Sequence, residues 1–310
     1  QFVASSLGVR CGFCHVEGDF SKDTKRTKLT ARKMMRMEFA IDRANFGGRP
    51  EVTCFTCHRG SSHPVGVPVI SAVAMSPAPG GGMARGMNSG PSAGEILTKY
   101  ADALGGPSAI QKISTRVEKG TVIFGGRQFP IEIYAQAPDE RVSIMHSPRG
   151  ESITGTNGAT GWMTGMDGRL RVMTGDDLAA ARLDAEFDLA LDLKQLYPHL
   201  REGRPEKVDG NEATVLLGFT RGQPPVKLYF DQQSGLLLRM ETYSETPLGP
   251  NPTQVNYADY READGVKVPF QWTIARPGGS FTIKVNSIRQ GVPIDQSKFA
   301  PPSGSASPGQ

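Results

Sequence analysis

One short pattern occurs twice in this sequence, and the two copies use every cysteine of the chain. The thiols and histidines of "VRCGFCHVEG" and "VTCFTCHRG" are Cys11, Cys14 and His15 in the first copy and Cys54, Cys57 and His58 in the second. Two residues separate the cysteines and a histidine follows at once, so a single turn of chain brings two thiols and an imidazole together. The first 60 residues must fold around whatever these side chains hold.

Cys-x-x-Cys-His is the attachment pattern of a c-type haem: the thiols form thioethers with the porphyrin and the histidine binds the iron. We therefore predict two covalently bound haems, haem 1 on the first copy and haem 2 on the second. A zinc ribbon would place its thiol pairs about 15–20 residues apart, whereas these pairs lie about forty residues apart. Neither zinc nor a disulfide pair would account for the two histidines.

Two haems would also explain how so short a segment folds. A domain of this size usually needs additional crosslinks, and two apolar macrocycles supply both crosslinks and a core. Residues 1–60 contain eleven Lys and Arg against six Asp and Glu, while the rest of the chain has twenty-four against twenty-five. We expect the basic excess to pair with haem propionates. The candidates are Arg32, Lys33, Arg36 and Arg59.

Two methionines are candidates for the sixth ligand of an iron. Met34 and Met37 lie three residues apart in a helix predicted from about Thr30 to Phe46, and they share a face with Ile41. A helix that crosses a haem would present such a face, but a stripe of methionines also packs an ordinary core. Spacing alone leaves both interpretations open.

Three stretches of residues 1–63 resemble the multihaem cytochrome c subunit of photosynthetic reaction centres and its non-photosynthetic relatives. They are "LGVRCGFCHVEGDF", "ARKMMRMEFAID" and "VTCFTCHRG". In that family each unit is a helix, a turn and then Cys-x-x-Cys-His, and a helix methionine ligates the following haem. The resemblance implies an electron-transfer protein rather than an enzyme, with Met34 as a ligand of haem 2 and Met37 as its substitute. This chain departs from the family in having two motifs instead of four.

Haem 1 cannot take its sixth ligand in the same way, because no methionine precedes Cys11. Our first candidate is His63, which lies five residues after His58 in a pliable loop. His146 and His199 lie in the second domain and are the alternatives, including as ligands to an iron of a neighbouring molecule. An open sixth position is the remaining alternative, and it would suit a dihaem peroxidase.

The composition changes along the 310-residue chain and predicts an α+β protein. A Pro/Gly-rich linker, residues 64–91, separates a small helical dihaem region, residues 1–63, from a β-rich region, residues 92–300. A Pro/Ser/Gly tail, residues 301–310, follows. Beyond Ile113 stretches such as "TRVEKGTVIF" alternate apolar and polar residues, as antiparallel strands do. We expect a curved sheet or half-barrel with a few helices.

Two helices are predicted beside these strands. Ser92 and Glu95 have the spacing of a capping box before a helix that Gly105 ends. The stretch "DDLAAARLDAEFDLALDLKQLY" predicts one longer helix, because Leu183 and Phe187 recur on a single face.

The β-rich region resembles, more loosely, the half-barrel of outer-membrane lipoprotein carrier and receptor proteins. The resemblance lies in "GATGWMTG", "LYFDQQSGLLLRMETY" and "YADYREADGVKVPFQW". Those proteins bind acyl chains, but a shared fold does not transfer an activity. We expect the large aromatic residues of this region to form its core. They are Trp162, Trp272, Tyr229 and Phe230.

These features together predict a secreted dihaem c-type cytochrome that carries single electrons. No apolar run is long enough to cross a membrane, and the basic residues do not cluster with aromatics as on a nucleic-acid surface. We expect an extracytoplasmic protein, exported through a removed signal peptide, with redox proteins or extracellular acceptors as partners. Because the linker and tail bury too little apolar surface to order alone, we expect copies of the chain to order them in a head-to-tail filament. A monomeric periplasmic carrier and a lipid- or lipoprotein-binding module with a haem sensor are the alternatives.

Overall fold

The computed structural model describes residues 2–64, 66, 90–244, 251–277 and 279–302. These residues divide into two compact units: the first unit is residues 2–64 with 66, and the second unit begins at residue 90. Most of the predicted linker and all but the first two residues of the predicted tail lie outside the described residues. The predicted division of functions between residues 1–63 and 92–300 stays a prediction.

The first unit is helical. Its helices are α1 (Phe2–Leu7), α2 (Arg26–Asn45) and α3 (Cys54–His58), and a 3-10 turn covers Cys11–Phe13. The predicted start of α2 at Thr30 is wrong, because the helix already begins at Arg26. Its first turn is fixed by tertiary contacts, among them a hydrogen bond of 2.6 Å from Thr27 Oγ1 to the Phe13 carbonyl. The predicted end is confirmed, since Gly47 and Gly48 follow with positive φ.

The second unit is one open antiparallel sheet with helices packed against it, which confirms the predicted α+β class. Its helices are α4 (Ala93–Leu104), α5 (Pro107–Ile110), α6 (Gly175–Ala185) and α7 (Leu189–Leu196). Its strands are β1 (Thr115–Phe124), β2 (Arg127–Gln136), β3 (Glu140–Ser147), β4 (Gly150–Asn157), β5 (Gly161–Thr164), β6 (Leu170–Met173), β7 (Arg201–Glu202), β8 (Glu206–Val208), β9 (Asn211–Gly218), β10 (Val226–Asp231), β11 (Leu237–Ser244), β12 (Asn251–Ala263), β13 (Val266–Arg276) and β14 (Gly279–Gln290). Among the described residues, no helix combines the length and apolarity that a membrane crossing needs.

The strand order places the first and last strands of the sheet, β1 and β14, side by side. It runs β6-β5-β4-β3-β2-β1-β14-β13-β12-β11-β10-β9-β7, and β8 pairs with β9. From β1 to β6 and from β9 to β14, consecutive strands are hairpin neighbours on either side of the central β1–β14 pair, where Gly120 marks a register shift. A side chain at Gly120 would meet the Lys284 carbonyl oxygen at 2.2 Å, so this close approach of two strands requires glycine.

Helix α4 forms as its sequence predicts. Ser92 is the N-cap, and its hydroxyl accepts from the Glu95 N–H. The Glu95 carboxylate in turn accepts from the Ser92 N–H at 2.7 Å. The helix then buries Ile96 and Tyr100 against the sheet and ends before Gly105. Local signals were sufficient here because cap, face and terminator all agree.

The predicted single helix over residues 176–197 is wrong, because α6 and α7 are separate. At the break, Glu186 leaves the helical conformation with a ψ of 107°, and the Phe187 N–H donates to the Pro138 carbonyl at 2.9 Å instead of continuing the helix. The Phe187 ring then lies under the Arg116 guanidinium, 5.0 Å from its centroid. A tertiary contact thus interrupts a segment whose apolar periodicity alone predicts one continuous helix.

The main apolar core lies between the sheet and the helices of the second unit. Leu193 and Tyr197 are completely buried against residues such as Leu228. The four aromatic residues predicted as core, Trp162, Trp272, Tyr229 and Phe230, are all buried. A cavity of about 150 Å³ lies beside this core, below the roughly 300–1,000 Å³ of ordinary ligand pockets.

Candidate functional site

The first unit buries polar residues and exposes apolar ones, the reverse of the second unit. Among its described residues, those that are buried are Ser6, Lys28 and Asp42. Its exposed large apolar side chains are Phe2, Phe13, Phe20, Leu29, Met34, Met37, Phe39 and Phe55. In the described part of the chain, all clusters of buried apolar residues lie in the second unit. A unit with this distribution needs an added apolar group to form a core.

The first motif lies in a tight turn in front of α2. The His15 N–H donates to the Cys11 carbonyl at 2.9 Å, which closes the turn around the two thiols. The imidazole Nδ1 of His15 lies 3.1 Å from the Phe20 carbonyl oxygen. A carbonyl oxygen can only accept, so Nδ1 carries the proton and Nε2 keeps its lone pair.

The second motif is itself a helix, α3. One turn of helix separates Cys54 from Cys57, which places both thiols on one face. Positive φ angles at Arg59 and Gly60 then turn the chain back, and the Ser61 carbonyl oxygen comes within 2.9 Å of the Nδ1 of His58.

Both motif histidines thus have the same arrangement, although their local structures differ. Each Nδ1 is bonded to a backbone carbonyl a few residues downstream, as is usual for metal-ligating histidines. All four cysteines are free thiols. The residues present therefore fit covalently attached haem: two thiols for thioethers and one bare Nε2 for the iron at each motif.

An apolar cavity of about 460 Å³ lies among α1, α2 and α3. Its walls bring together residues of both motifs and three of the predicted sixth ligands. These are Cys14, Cys54, Cys57 and His58 with Met34, Met37 and His63. Cys11 and His15 do not line it. The exposed fractions of Met34 and Met37 are 40% and 49%, so both thioethers are accessible from the cavity. The roles of Met34, Met37 and His63 as ligands stay predictions.

The basic residues around the cavity differ from those expected to pair with propionates. None of Arg32, Lys33, Arg36 and Arg59 lines the cavity, whereas Arg26 does. Arg32 is paired with Asp23. The sequence interpretation missed Arg26 because it placed the start of the helix four residues too late.

Glu38 is a further residue of the cavity that the sequence did not single out. The Cys54 thiol lies 3.5 Å from Glu38 Oε2. Partial burial, and then the Glu38 carboxylate, raise the pKa of this thiol, so the thiol is held in its neutral form. The one available signal was helical position, because Glu38 is four residues after Met34 on the same face.

The motifs are those of c-type cytochromes, and the comparison with known proteins agrees. Residues 1–100 match the family described as "Photosynthetic reaction centre cytochrome C subunit", which confirms the resemblance of the N-terminal part. Cytochrome c-554 of Chloroflexus aurantiacus is 38% identical over 64 residues, 19% of this chain and 15% of that protein. The photosynthetic reaction center cytochrome c subunit of Roseobacter denitrificans is 36% identical over 72 residues, 21% of this chain and 19% of that protein. The chain thus spans less than a fifth of the length of either relative.

Solved structures are similar to the other part of the chain. A DUF1329 family protein from Desulfovibrio piger has a TM-score of 0.47 and 13% identity, over 67% of this chain and 96% of that chain. A LolA superfamily protein from Nitrosomonas europaea has a TM-score of 0.46 and 15% identity, over 68% of this chain and 99% of that chain.

Proposed function

We propose that the chain is a dihaem c-type cytochrome that carries single electrons. The observation that supports this best is the shared arrangement of His15 and His58, each with Nδ1 held by a backbone carbonyl and Nε2 left bare. A bound haem supplies an iron that alternates between two oxidation states. The protein supplies attachment, orientation and an apolar surrounding.

Each set of residues has a separate task in this proposal. Cys54 and Cys57 would attach haem 2 in the cavity, and His58 would bind its iron. Met34, which lines the same cavity, is the proposed sixth ligand, with Met37 as its substitute. A filled sixth position suits a carrier, because little rearrangement then accompanies each electron.

Haem 1 is proposed at Cys11, Cys14 and His15. These residues contribute little to the wall of the cavity, since only Cys14 lines it. His63 is kept as the proposed sixth ligand of haem 1. Its side chain is exposed and its Nδ1 lies 3.3 Å from Ser62 Oγ.

Absorption spectra of the purified protein in both oxidation states, followed by addition of carbon monoxide, test the carrier proposal. Sharp c-type bands that carbon monoxide leaves unchanged are the expected result, because both irons have six ligands. Rapid binding of carbon monoxide to one haem would contradict the carrier and favour the dihaem peroxidase. Spectra without haem bands would contradict both.

We also propose that the protein works outside the cytoplasm and that it forms head-to-tail filaments of haems. Two haems near one end of each copy would continue a row into the next copy. Electron microscopy of native material is the test. Filaments are expected, and discrete monomers alone would contradict the assembly while leaving the dihaem carrier intact.

A further inference from the structure

A buried lysine at the start of α2 fixes the loop that follows the first motif. Lys28 is only 7% exposed, a rare environment for a lysine. Its Nζ donates to three successive backbone carbonyls, those of Phe20 at 2.7 Å, Ser21 at 3.0 Å and Lys22 at 2.9 Å. The Asp23 carboxylate lies 2.9 Å away and balances its charge. Every donor of the buried ammonium is therefore used, as the burial of a charge requires.

The Phe20 carbonyl connects this lysine to the first motif. Its oxygen accepts from Lys28 Nζ and also from His15 Nδ1, at 2.7 and 3.1 Å. The Phe20 ring lies against the imidazole, with the two centroids 5.0 Å apart. The loop around Phe20 is exposed; the Ser21 hydroxyl bonds to Asp19 within the loop, and Arg32 of α2 pairs with Asp23 at its end. Lys28 is thus the α2 side chain that bonds directly to the backbone oxygen that His15 uses.

We propose that Lys28 is a positioning residue of the first haem-attachment site, which sets the orientation of the His15 ring through the Phe20 carbonyl. The inference rests on the proposed function, because it assigns His15 to an iron. The hydrogen bond at one imidazole nitrogen decides the tautomer and the ring plane that the other nitrogen presents to a metal. Lys28 does this without contacting either motif.

The other buried charge of α2 provides a matched comparison. Asp42 is 5% exposed, and its Oδ1 accepts from the Val52 N–H at 3.0 Å, two residues before Cys54. The two residues therefore lie in the same helix and are similarly buried. Lys28 supports the loop that follows the first motif, and Asp42 supports the chain that leads into the second motif.

The test uses electron paramagnetic resonance of the oxidised holoprotein, because the g-values of a low-spin haem depend on the plane of its axial imidazole. A variant without Cys54 and Cys57 assigns the signal of haem 1. In Lys28→Met we expect the haem 1 signal to shift and to broaden into several orientations, while the haem 2 signal is unchanged. Lys22→Met removes an exposed charge from the same loop and should change neither signal. Asp42→Ala should change the signal of haem 2 alone.

Two outcomes would overturn the inference: unchanged signals in Lys28→Met, or equal changes in both haems, which would make Lys28 a general structural residue. If Lys28→Met does not accumulate, Lys28→Arg replaces it, since the planar guanidinium keeps the charge but cannot reach all three carbonyls alike. The same selective change of haem 1 is then expected, and an unchanged spectrum overturns the inference. A native protein without haem would instead contradict the proposed function, so the two failures are distinguishable.

Discussion

The carboxyl group of Glu186, in the break between α6 and α7, should make the second unit less stable at high pH. Burial, and then the neighbouring Asp192 carboxylate, raise the pKa of Glu186 from 4.5 to about 7. A raised pKa means that the folded state prefers the protonated form. The stabilisation is therefore complete below about pH 4.5 and is lost as the pH rises through about 7.

The size of the effect follows from the difference between these two pKa values. A rise from 4.5 to about 7 corresponds to about 3 kcal/mol of unfolding free energy. Because the side chain is only half-buried, solvent screening reduces this to about 1–2 kcal/mol. Glu186→Gln keeps the size of the side chain and removes the charge. The variant should exceed the native protein in stability by about 1–2 kcal/mol near pH 8 and equal it near pH 4.

Denaturant unfolding followed by tryptophan fluorescence measures this difference. The two tryptophans of the chain, Trp162 and Trp272, are both in the second unit, so the signal reports that unit. Glu262→Gln, which changes an exposed carboxylate of β12, is the control and should have the same small effect at both pH values. Equal effects of Glu186→Gln at both pH values, or no gain near pH 8, would refute the reasoning.

Three further substitutions test separate parts of the molecule. Met34→Leu keeps bulk and helix propensity and should abolish the methionine–iron charge-transfer band that Met37→Leu leaves intact; the reverse result would move the ligand to Met37. Gly8→Ala should lower the melting temperature and cost about 2 kcal/mol or more, because Gly8 has a φ of +64° and its new Cβ would lie 2.0 Å from the Gly60 carbonyl oxygen; native stability would contradict that contact. Tyr197→Phe leaves a buried carbonyl without its 2.8 Å donor and should cost about 1–3 kcal/mol in denaturant unfolding, whereas an unchanged midpoint would contradict the bond.

Local signals predicted much of the fold. The strand "TRVEKGTVIF" is β1 from end to end, and the capping box of Ser92 begins α4. Prediction failed where a distant backbone group decided the structure. The Pro138 carbonyl takes the Phe187 N–H and ends one helix, and contacts with the first motif extend α2 back to Arg26. The residue pattern within either helical segment contains no signal for these distant backbone partners.

The site divides in the same way. The spacing of the motifs predicts the attachment residues, and the helical pattern predicted that Met34 and Met37 share one face; both line the cavity. Lys28 and Asp42 were not predicted, because charged residues on a helix are usually solvated. Their importance arises from backbone groups of two loops, the Phe20 carbonyl and the Val52 N–H, whose positions depend on tertiary structure.

Mass spectrometry of the denatured protein tests the central claim most directly, because thioether bonds survive unfolding. The account predicts a chain that carries two haems, and a Cys54→Ala, Cys57→Ala double variant that carries one. A denatured chain with one haem or none would contradict it.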